Sequence, residues 1–392
     1  MSIDFRSEAE AMRDELIARR RDFHAHPELG FEEVRTAGIV AKELTDLGLE
    51  VQPGVGKTGV VAMLEGAHDG PTILVRADMD ALPIREENRT EYTSENPGKM
   101  HACGHDGHTS IALGVAKLLS AHKDQIAGRV KFVFQPAEEL GKGAQAMVND
   151  GVLSDPRPDF SVGLHLWNSM PVGEIGIADG PVMAGASTFD IKVTGKGSHA
   201  ASPHQGVDPV VCAAQMVTAF QSITSRNVNP LDTVVLSVTT IHAGDAYNVI
   251  PQFAKMSGTV RYFKTEVRDV VKARMQDICD HLSAAMGCTA KLEFDSMTIP
   301  VVNNAEVGAQ LRTAFEPMVS AMHLDERTMG AEDVSLLMDD IPGTYFFVGA
   351  KDETADAYYG HHHPKFSIDE DSLPLAAALL STAVATFVLP ES

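Results

Sequence analysis

The stretch TILVRADMD (residues 72–80) predicts a buried β-strand that ends in acidic side chains. Two further runs, RVKFVFQ (129–135) and FSVGLHLW (160–167), are apolar along nearly their whole length, and TSIALGVAKLLSAH (109–122) has helical periodicity. Strands that are apolar on both faces and alternate with helices are typical of a parallel sheet covered on both sides. The sequence therefore predicts an α/β fold with a mostly parallel sheet and helices on both faces.

Side chains of the kind that bind metals follow these strands. Asp78 and Asp80 end the first strand, Glu138 and Glu139 follow the second, and His165 lies near the end of the third. Sites in open α/β sheets form at the carboxyl ends of the strands. We therefore expect these side chains to meet at one edge of the sheet, although a lone histidine in an apolar strand is more often a core residue.

Two histidine-rich segments extend this group. HACGHDGHTS (101–110) precedes one predicted helix, and HHHPKF (361–366) precedes the last. Imidazole, thiolate and carboxylate together suit Zn, Mn, Ni or Co better than Mg or Ca. Ligands scattered over five segments favour a catalytic site with open positions over a closed structural zinc site. Their number suffices for two divalent ions, a pair that in hydrolases stabilises both nucleophile and oxyanion.

The pattern changes after residue 184, where FDIKVTGKG (189–197) alternates like a half-exposed strand. The following segments predict a helix, two strands, a helix and a strand, at 209–224, 233–242, 254–263, 266–286 and 289–295. This β-α-β-β-α-β order is that of a ferredoxin-like unit. We predict that residues 185–297 form an inserted domain, and that residues 1–184 and 298–392 form the larger domain around it.

The composition limits the class of partner. The chain has 392 residues, enough for two domains, and is 44% hydrophobic and 22% charged, as is ordinary for a globular protein. Its 32 Lys+Arg against 54 Asp+Glu give a net charge of -22, which argues against nucleic acid and anionic membranes as partners. The four cysteines lack C-x-x-C spacing, and the first residues lack the apolar run of a secretory signal. We therefore expect a cytoplasmic location.

Four further segments carry local signals. Ser7 with Glu10 predicts a capping box that opens a long N-terminal helix, and residues 304–323 predict another helix. The apolar run at 373–389 is shorter than a usual membrane span and includes polar residues, so we expect a buried final helix. GVGKTG (54–59) matches G-x-G-x-x-G but precedes a strand, so a turn is favoured over a nucleotide site.

Eight motifs in their order resemble the metal-dependent aminoacylase/carboxypeptidase family, and within it the hippurate hydrolase and indole-3-acetyl–amino acid hydrolase branch. They are RADMDALP (76–83), MHACGHDGHT (100–109), PAEE (136–139), GLHLW (163–167), GKGSHAASPH (195–204), NVIP (248–251), GTVR (258–261) and HHHPKF (361–366). The resemblance covers nearly the full chain. It implies a phosphorylase/hydrolase-like catalytic α/β domain, an inserted ferredoxin-like lid or dimerisation domain, and a homodimer or tetramer.

The resemblance also implies the ligands of two divalent ions per subunit, with their identity open among Zn, Mn, Ni and Co. These ligands are Cys103, His105, Glu139, His165 and His362. Cys103 and Asp78 point to this branch, because other branches have a histidine ligand at the position of Asp78. His101 and His108 are then close to the ions without binding them.

The remaining roles follow from the same resemblance. Glu138 is implied as the general base and acid, and Asp78 and Asp80 as residues that orient the ligands. His199 resembles a histidine that reaches the active site from the inserted domain, often across a dimer interface, and stabilises the oxyanion. Asn248 and Arg261 resemble residues that hold the carboxylate of the substrate.

These roles imply a hydrolase that cleaves the amide bond of N-acyl amino acids, of the N-benzoylglycine type or related conjugates. Glu138 takes a proton from the attacking water and returns it to the leaving amine. Three alternatives stay open: a carboxypeptidase or dipeptidase acting on short peptides, a cysteine hydrolase with Cys103 as nucleophile, and a non-enzymatic metal-binding protein. The preferred acyl group also stays open.

Overall fold

The computed structural model of the chain describes residues 3–354 and 357–389. These residues form two compact units. The first contains the chain up to Val182, Val302–Arg327 and the chain from Asp333 onward, and the second contains Met183–Val301 and Thr328–Glu332. The second unit is therefore inserted in the sequence of the first.

The α-helices of the described residues are α1 (Phe5–Ala11), α2 (Arg13–Ala25), α3 (Val34–Asp46), α4 (His105–Ala121), α5 (Gly143–Asn149), α6 (Pro209–Ser222), α7 (Thr265–Ala285), α8 (Ala305–Phe315) and α9 (Ser372–Val388). The strands are β1 (Glu50–Val55), β2 (Gly59–Glu65), β3 (His68–Asp78), β4 (Ala127–Gln135), β5 (Phe160–Trp167), β6 (Glu174–Gly176), β7 (Gly180–Thr194), β8 (Ser198–His199), β9 (Val234–Ala243), β10 (Val249–Ile250), β11 (Phe253–Tyr262), β12 (Thr289–Thr298), β13 (Val301–Asn303), β14 (Ala321–His323), β15 (Thr328–Ala331) and β16 (Gly343–Gly349).

The first unit is built on an eight-stranded sheet with the order β1-β2-β4-β3-β5-β16-β6-β14. Its four central strands, β4, β3, β5 and β16, are parallel to one another. The pairs β1/β2, β2/β4 and β16/β6 are antiparallel. The α/β class and the parallel centre of the sheet are thus confirmed, and the antiparallel pairs lie toward its edges.

Both faces of this sheet are buried. Successive side chains of a strand point to opposite faces, and along β3 Ile73 and Val75 enter a large core shared with α4 and α9. Leu74, between them, belongs to a separate core with Met147 of α5. The C-terminal apolar run forms α9 and is buried in the large core, as expected. Among the described residues, every helix is too short or too polar to cross a membrane.

In the second unit, the strands of the main sheet and the α-helices follow the chain order β7-α6-β9-β11-α7-β12, and the short strands β8 and β10 pair separately. Its sheet has the strand order β12-β7-β11-β9, and each of these pairs is antiparallel. Helices α6 and α7 share a core with this sheet. This arrangement confirms the predicted ferredoxin-like unit.

Two local predictions are wrong, and one is confirmed. Helix α1 is capped by Asp4, whose carboxylate accepts a hydrogen bond from the Ser7 backbone N–H at 3.1 Å, so Ser7 is not the cap. The helix predicted over 304–323 ends at Phe315, because Pro317 in the next turn has no N–H to continue the ladder. The GVGKTG segment (54–59) forms the turn between antiparallel β1 and β2, as expected.

Candidate metal centre

Three adjacent parallel strands bring the acidic and histidine side chains to one edge of the sheet. Asp78 is the last residue of β3 and pairs with Gln135, the last residue of β4. Glu138 follows β4 closely, and His165 lies in β5, on the other side of β3. The carboxyl edge of the sheet therefore collects side chains from three separate segments.

The turn that opens α4 adds Cys103 and His105 to this edge. His105 is the first residue of α4, and Gly104 before it has a φ of 92°, in the left-handed region that glycine adopts without a Cβ clash. A Cβ on Gly107 would lie 2.6 Å from Leu166 Cδ1. Helix α4 therefore approaches β5 closely because residue 107 has no side chain.

One ring nitrogen of His105 makes a hydrogen bond, and the other makes none within the described part of the chain. Nδ1 donates to the Asp80 carbonyl oxygen at 3.0 Å, so Nε2 is the atom that takes either a proton or a metal ion. Among the described residues, buried Nε2 has no hydrogen-bond partner, and neither does Glu139 Oε1, 4.0 Å away. An imidazole nitrogen and a carboxylate oxygen are both atoms that would bind a divalent metal ion.

The charges around His105 favour a cation at this position. Burial opposes its protonation, but Asp78 and Cys103 outweigh burial and raise the pKa of His105 well above its ordinary value. Unsatisfied buried polar atoms in a native fold call for an explanation. Divalent cations at this centre would provide it, with His105 and Glu139 among the residues that would hold them.

His165 is held as a neutral imidazole that faces Cys103. Nδ1 donates to the Leu166 carbonyl oxygen at 2.8 Å, and Nε2 lies 3.6 Å from Cys103 Sγ. Burial lowers the pKa of His165 well below its ordinary value, with a further contribution from His108. Burial also raises the pKa of the Cys103 thiol, whereas a cysteine nucleophile needs a lowered pKa.

His362 approaches from the HHHPKF segment. Its φ of 67° is uncommon for a residue other than glycine, and its backbone N–H donates to the Ala102 carbonyl oxygen at 2.8 Å. Nε2 lies 3.4 Å from Glu139 Oε2. Hydrogen bonds with Cys103 and Glu139 raise the pKa of His362 to about 10, so this position also favours positive charge.

The five expected ligands converge in overlapping sets. Cys103, His105 and His165 form one set, and Cys103, Glu139 and His362 form another, with the ligand atoms of each set within 4.8 Å of one another. His105, Glu138 and Glu139 form a third set under the same limit. The residues present therefore include groups able to hold two divalent ions.

His108 is close to this centre but has no nitrogen left for a metal. Its Nε2 accepts the Leu166 backbone N–H at 2.9 Å, so its Nδ1 carries the proton and donates to Asp78 Oδ1 at 2.7 Å. The other Asp78 oxygen lies 2.6 Å from Arg76 Nη1. Burial opposes ionisation, but His105 and Arg76 outweigh it and hold the pKa of Asp78 well below its usual range.

Asp80 binds the backbone of the turn that carries both glutamates. Its Oδ1 accepts the Glu138 N–H and its Oδ2 accepts the Glu139 N–H, each at 3.1 Å. The carbonyl group of Asp80 also receives the His105 Nδ1–H. One residue thus orients His105 and both carboxylates, while burial raises the pKa of Asp80 itself.

A buried ion pair beside the ligands had no role in the sequence analysis. Arg20 Nε of α2 lies 2.7 Å from Asp106 Oδ2 of α4, and both side chains are almost fully buried. Arg20 Nη1 also lies 3.2 Å from Glu370 Oε1. Asp106 follows His105 directly, so this ion pair ties the turn that carries Cys103 and His105 to α2. Only the unusual density of polar residues in 101–110 hinted at it.

Three predicted residues belong to the second unit. Asn248 and His199 lie together on a small ribbon, where β8 pairs with β10 through His199 and Val249, and the Ala200 N–H donates to the Asn248 carbonyl oxygen at 3.0 Å. Arg261 lies on β11, half-buried, and its Nη1 donates to Thr259 of the same strand. Burial lowers the pKa of Arg261.

The single tryptophan of the chain, Trp167, stands at the end of β5 beside the candidate ligands. Its ring centroid lies 5.5 Å from that of His165 and 4.9 Å from that of His361. His361 Nε2 donates in turn to the Leu166 carbonyl oxygen at 3.1 Å. The tryptophan therefore packs against the histidines of the centre.

An α/β sheet whose carboxyl edge gathers ligands for two divalent ions, with a further carboxylate beside them, defines the class of metallohydrolases. Residues 74–386 match the model of peptidase family M20/M25/M40, and the chain belongs to this family. It is 46% identical over 296 residues to an N-acyl-L-amino acid amidohydrolase of Geobacillus stearothermophilus, covering 75% of this chain and 80% of that protein. It is 39% identical over 376 residues to thermostable carboxypeptidase 1 of Saccharolobus solfataricus, covering 95% of each.

A crystal structure from Bacillus subtilis, described as a dinuclear metal-binding peptidase of the M20 family, has the same fold. The TM-score is 0.84 at 34% identity, over 96% of this chain and 99% of that one. These comparisons confirm the family resemblance. They make the chain a hydrolase that acts on amide bonds.

Proposed function

We propose that the protein is a metal-dependent amidohydrolase that cleaves N-acyl amino acids, of the N-benzoylglycine type or related aryl and acyl conjugates. The products are a carboxylic acid and a free amino acid. The observation that carries this proposal is the pair of adjacent carboxylates: Glu138 Oε2 and Glu139 Oε1 each lie 4.0 Å from His105 Nε2. When two carboxylates reach one centre, one can bind metal while the other transfers the proton.

Glu138 is the proton carrier in this proposal. It takes a proton from the attacking water and delivers it to the nitrogen of the leaving amine. Its side chain is buried at the edge of the site, and its backbone N–H is fixed by Asp80. That hydrogen bond holds the position from which the carboxylate reaches both the water and the amine.

We assign metal binding to two sets that share Cys103: one with His105 and His165, and one with Glu139 and His362. The ions are Zn, Mn, Ni or Co, because the donor set mixes sulfur, nitrogen and oxygen. When bound, such ions polarise the amide carbonyl and lower the pKa of water. Asp78 and Asp80 orient the ligands through the contacts given above.

We also assign roles to His199, Asn248 and Arg261 of the second unit, as the family resemblance implies. His199 Nδ1 accepts the Ala201 N–H at 3.0 Å, which leaves the proton of a neutral ring on Nε2, free to donate to an oxyanion. We assign Asn248 and Arg261 to the carboxylate of the substrate, since an amide and a guanidinium both donate hydrogen bonds to it.

We also propose a homodimer formed through the second unit. β9 is the outer strand of that sheet, and it exposes Val235 and Ile241. An open strand edge with apolar side chains is suited to pairing with another chain. Light scattering of the purified protein tests this proposal directly, and a monomer at micromolar concentration contradicts it.

The carboxypeptidase alternative keeps support from the relative of that name. A carboxypeptidase would need the same metals and the same proton carrier. Its substrate would differ in the acyl group, which would be an aminoacyl or peptidyl group. A cysteine hydrolase is disfavoured, because burial raises the pKa of the Cys103 thiol and lowers the pKa of His165, which makes the neighbouring imidazole a weak base.

The test is amine release from N-benzoylglycine and from N-acetyl, indole-3-acetyl and dipeptide substrates that share the same C-terminal residue. Each is assayed with purified protein, with protein stripped by EDTA, and after addition of Zn, Mn, Co or Ni. We expect activity that disappears on stripping and returns with metal, with the acyl conjugates cleaved faster than the dipeptides. Faster dipeptide cleavage favours the carboxypeptidase, and metal binding without turnover favours a binding protein.

A further inference from the structure

Glu33 lies behind the turn that carries Glu138 and Glu139, and its side chain joins two distant segments. It immediately precedes α3 and is fully buried. Its Oε1 accepts the Ala137 backbone N–H at 2.8 Å, and its Oε2 accepts the Thr58 hydroxyl at 2.5 Å. The Thr58 partner belongs to the GVGKTG turn, a segment to which the proposed chemistry gives no task.

In the part of the chain that the structure describes, the carboxylate of Glu33 has no counter-ion. Within residues 3–354 and 357–389, no lysine, arginine or histidine pairs with it, and its two oxygens are satisfied by Thr58 and Ala137. Burial raises the pKa of Glu33. A buried carboxylate without a cation is costly, so its presence calls for a gain elsewhere in the fold.

The backbone that Glu33 binds is itself strained. Ala137 has a φ of 51°, a left-handed conformation that is unfavourable for a residue with a Cβ. Its N–H goes to Glu33, and the next two N–H groups, of Glu138 and Glu139, go to Asp80. Three consecutive N–H groups are thus held by two buried carboxylates, and the strained turn depends on them.

The GVGKTG turn, which carries Thr58, also packs against the segment that precedes α3. The Lys57 ammonium lies 3.9 Å from the centroid of the Phe31 ring, so the GVGKTG turn rests on the segment that precedes α3. A Cβ on Gly30 would lie 3.0 Å from Ala137 Cα and Cβ, which shows how closely this segment approaches the turn. A shift at Thr58 is therefore expected to reach Ala137 through the Glu33 carboxylate.

We propose that Glu33, held by Thr58, is a positioning residue that fixes the Ala137–Glu138–Glu139 turn in the geometry needed for metal binding and proton transfer. The inference deepens the proposed function and rests on it for the roles of Glu138 and Glu139. A purely local role as the cap of α3 does not account for the contact, because the Glu33 side chain makes no capping hydrogen bond to that helix.

The test compares Glu33→Ala with Glu33→Gln, Thr58→Ala with Thr58→Ser, and a matched control, Glu32→Ala. Glu32 is the adjacent glutamate, and its side chain makes a surface ion pair with Lys99 at 2.9 Å. Four quantities are measured well below the unfolding temperature of each variant: kcat, KM, affinity for Zn or Co by competition with a coloured chelator, and amide hydrogen exchange of peptides covering residues 137–139.

We expect Glu33→Ala to lower metal affinity and kcat by about 10–100-fold, the range typical for residues that orient ligands, with KM changed by less than about threefold. In the same variant, amide hydrogen exchange of residues 137–139 should become faster. Glu33→Gln restores most of the loss, because its amide oxygen still accepts the Ala137 N–H. Thr58→Ala shows a smaller loss that Thr58→Ser restores, and Glu32→Ala matches the wild type.

The inference is overturned if Glu33→Ala has the metal affinity, kcat and exchange of Glu32→Ala, whatever its unfolding temperature. If Glu33→Ala does not fold, the Thr58 variants decide. Equal metal affinity, kcat and amide hydrogen exchange in Thr58→Ala and Thr58→Ser then overturn the inference. If the wild type hydrolyses no amide, the proposed function fails. Metal affinity and hydrogen exchange then still decide whether Glu33 positions the turn.

Discussion

His24 Nδ1 and Asp106 Oδ2 lie 2.8 Å apart in the interior of the first unit. The other ring nitrogen, Nε2, is 3.2 Å from Glu86 Oε1, so a single imidazole bridges two carboxylates. Burial and the neighbouring Arg20 oppose protonation, but hydrogen bonds with Asp106 and Glu86 outweigh them and raise the pKa of His24. The helix that bears His24 is thereby tied to the helix that bears His105.

This raised pKa predicts a stability that depends on pH. The contribution of His24 is fully present below the unfolded pKa of about 6.5 and is lost as the pH rises through the folded pKa. We expect the difference in the free energy of unfolding between wild type and His24→Gln to be largest near pH 6 and to shrink toward pH 9. Urea unfolding of the metal-free proteins measures it, and a constant difference contradicts the prediction.

The two adjacent glutamates are expected to respond differently to substitution. Glu138→Gln keeps the shape of the side chain but removes the proposed proton carrier, so kcat should fall by about 10²–10⁴-fold with metal content unchanged. Glu139→Ala removes a proposed ligand and should lose metal. Metal analysis with steady-state kinetics separates the two effects. A Glu138→Gln variant with nearly wild-type kcat would reverse the assignment.

Substitution of His108 should weaken metal binding although His108 itself binds no metal. His108→Ala leaves Asp78 Oδ1 and the Leu166 N–H without their partners. We expect metal affinity to fall by about 10–100-fold, measured by chelator competition. The exposed His281, which bonds only to the Asp277 carbonyl oxygen of its own helix, provides the control variant His281→Ala. Equal affinities of the two variants would show that His108 does not support the centre.

The final helix should be essential to stability. Leu379 is fully buried, and Leu379→Ala is expected to lower the free energy of unfolding by about 2–5 kcal/mol through lost burial and the cavity left behind. Leu324 is 57% exposed. Leu324→Ala should therefore change the free energy of unfolding by less than about 0.5 kcal/mol. Urea unfolding measures the loss of unfolding free energy in both variants. Equal losses would contradict the prediction and would mean that the core around α9 relaxes into the cavity.

The sequence predicted the parts of the fold that have a local pattern. One continuous apolar run ends at Asp78, and another precedes Glu138. Because sites form at the carboxyl ends of parallel strands, this pattern was enough to predict that the two side chains lie close together. Strand direction has no such pattern, so the antiparallel pairing of β1 and β2 was not predicted. The strands β6 and β14 have three residues each, too few for a periodicity.

The residues that support the centre left no local signal. Glu33 and Ala137 are 104 positions apart in the chain, and His24 and Asp106 are 82 apart. A glutamate that accepts a buried N–H has the same sequence context as one in a surface ion pair, as the neighbours Glu32 and Glu33 show. Only the three-dimensional structure separates these two glutamates.

Trp167 gives the protein an internal reporter. Because the chain has one tryptophan, light absorbed selectively by indole is emitted from a single place, beside the rings of His165 and His361. A divalent ion held by His165, as proposed, would change the electric field at the adjacent indole, and with it the intensity of this emission. The occupancy of the site can therefore be followed in real time by the intrinsic fluorescence of the unlabelled protein, independently of any substrate.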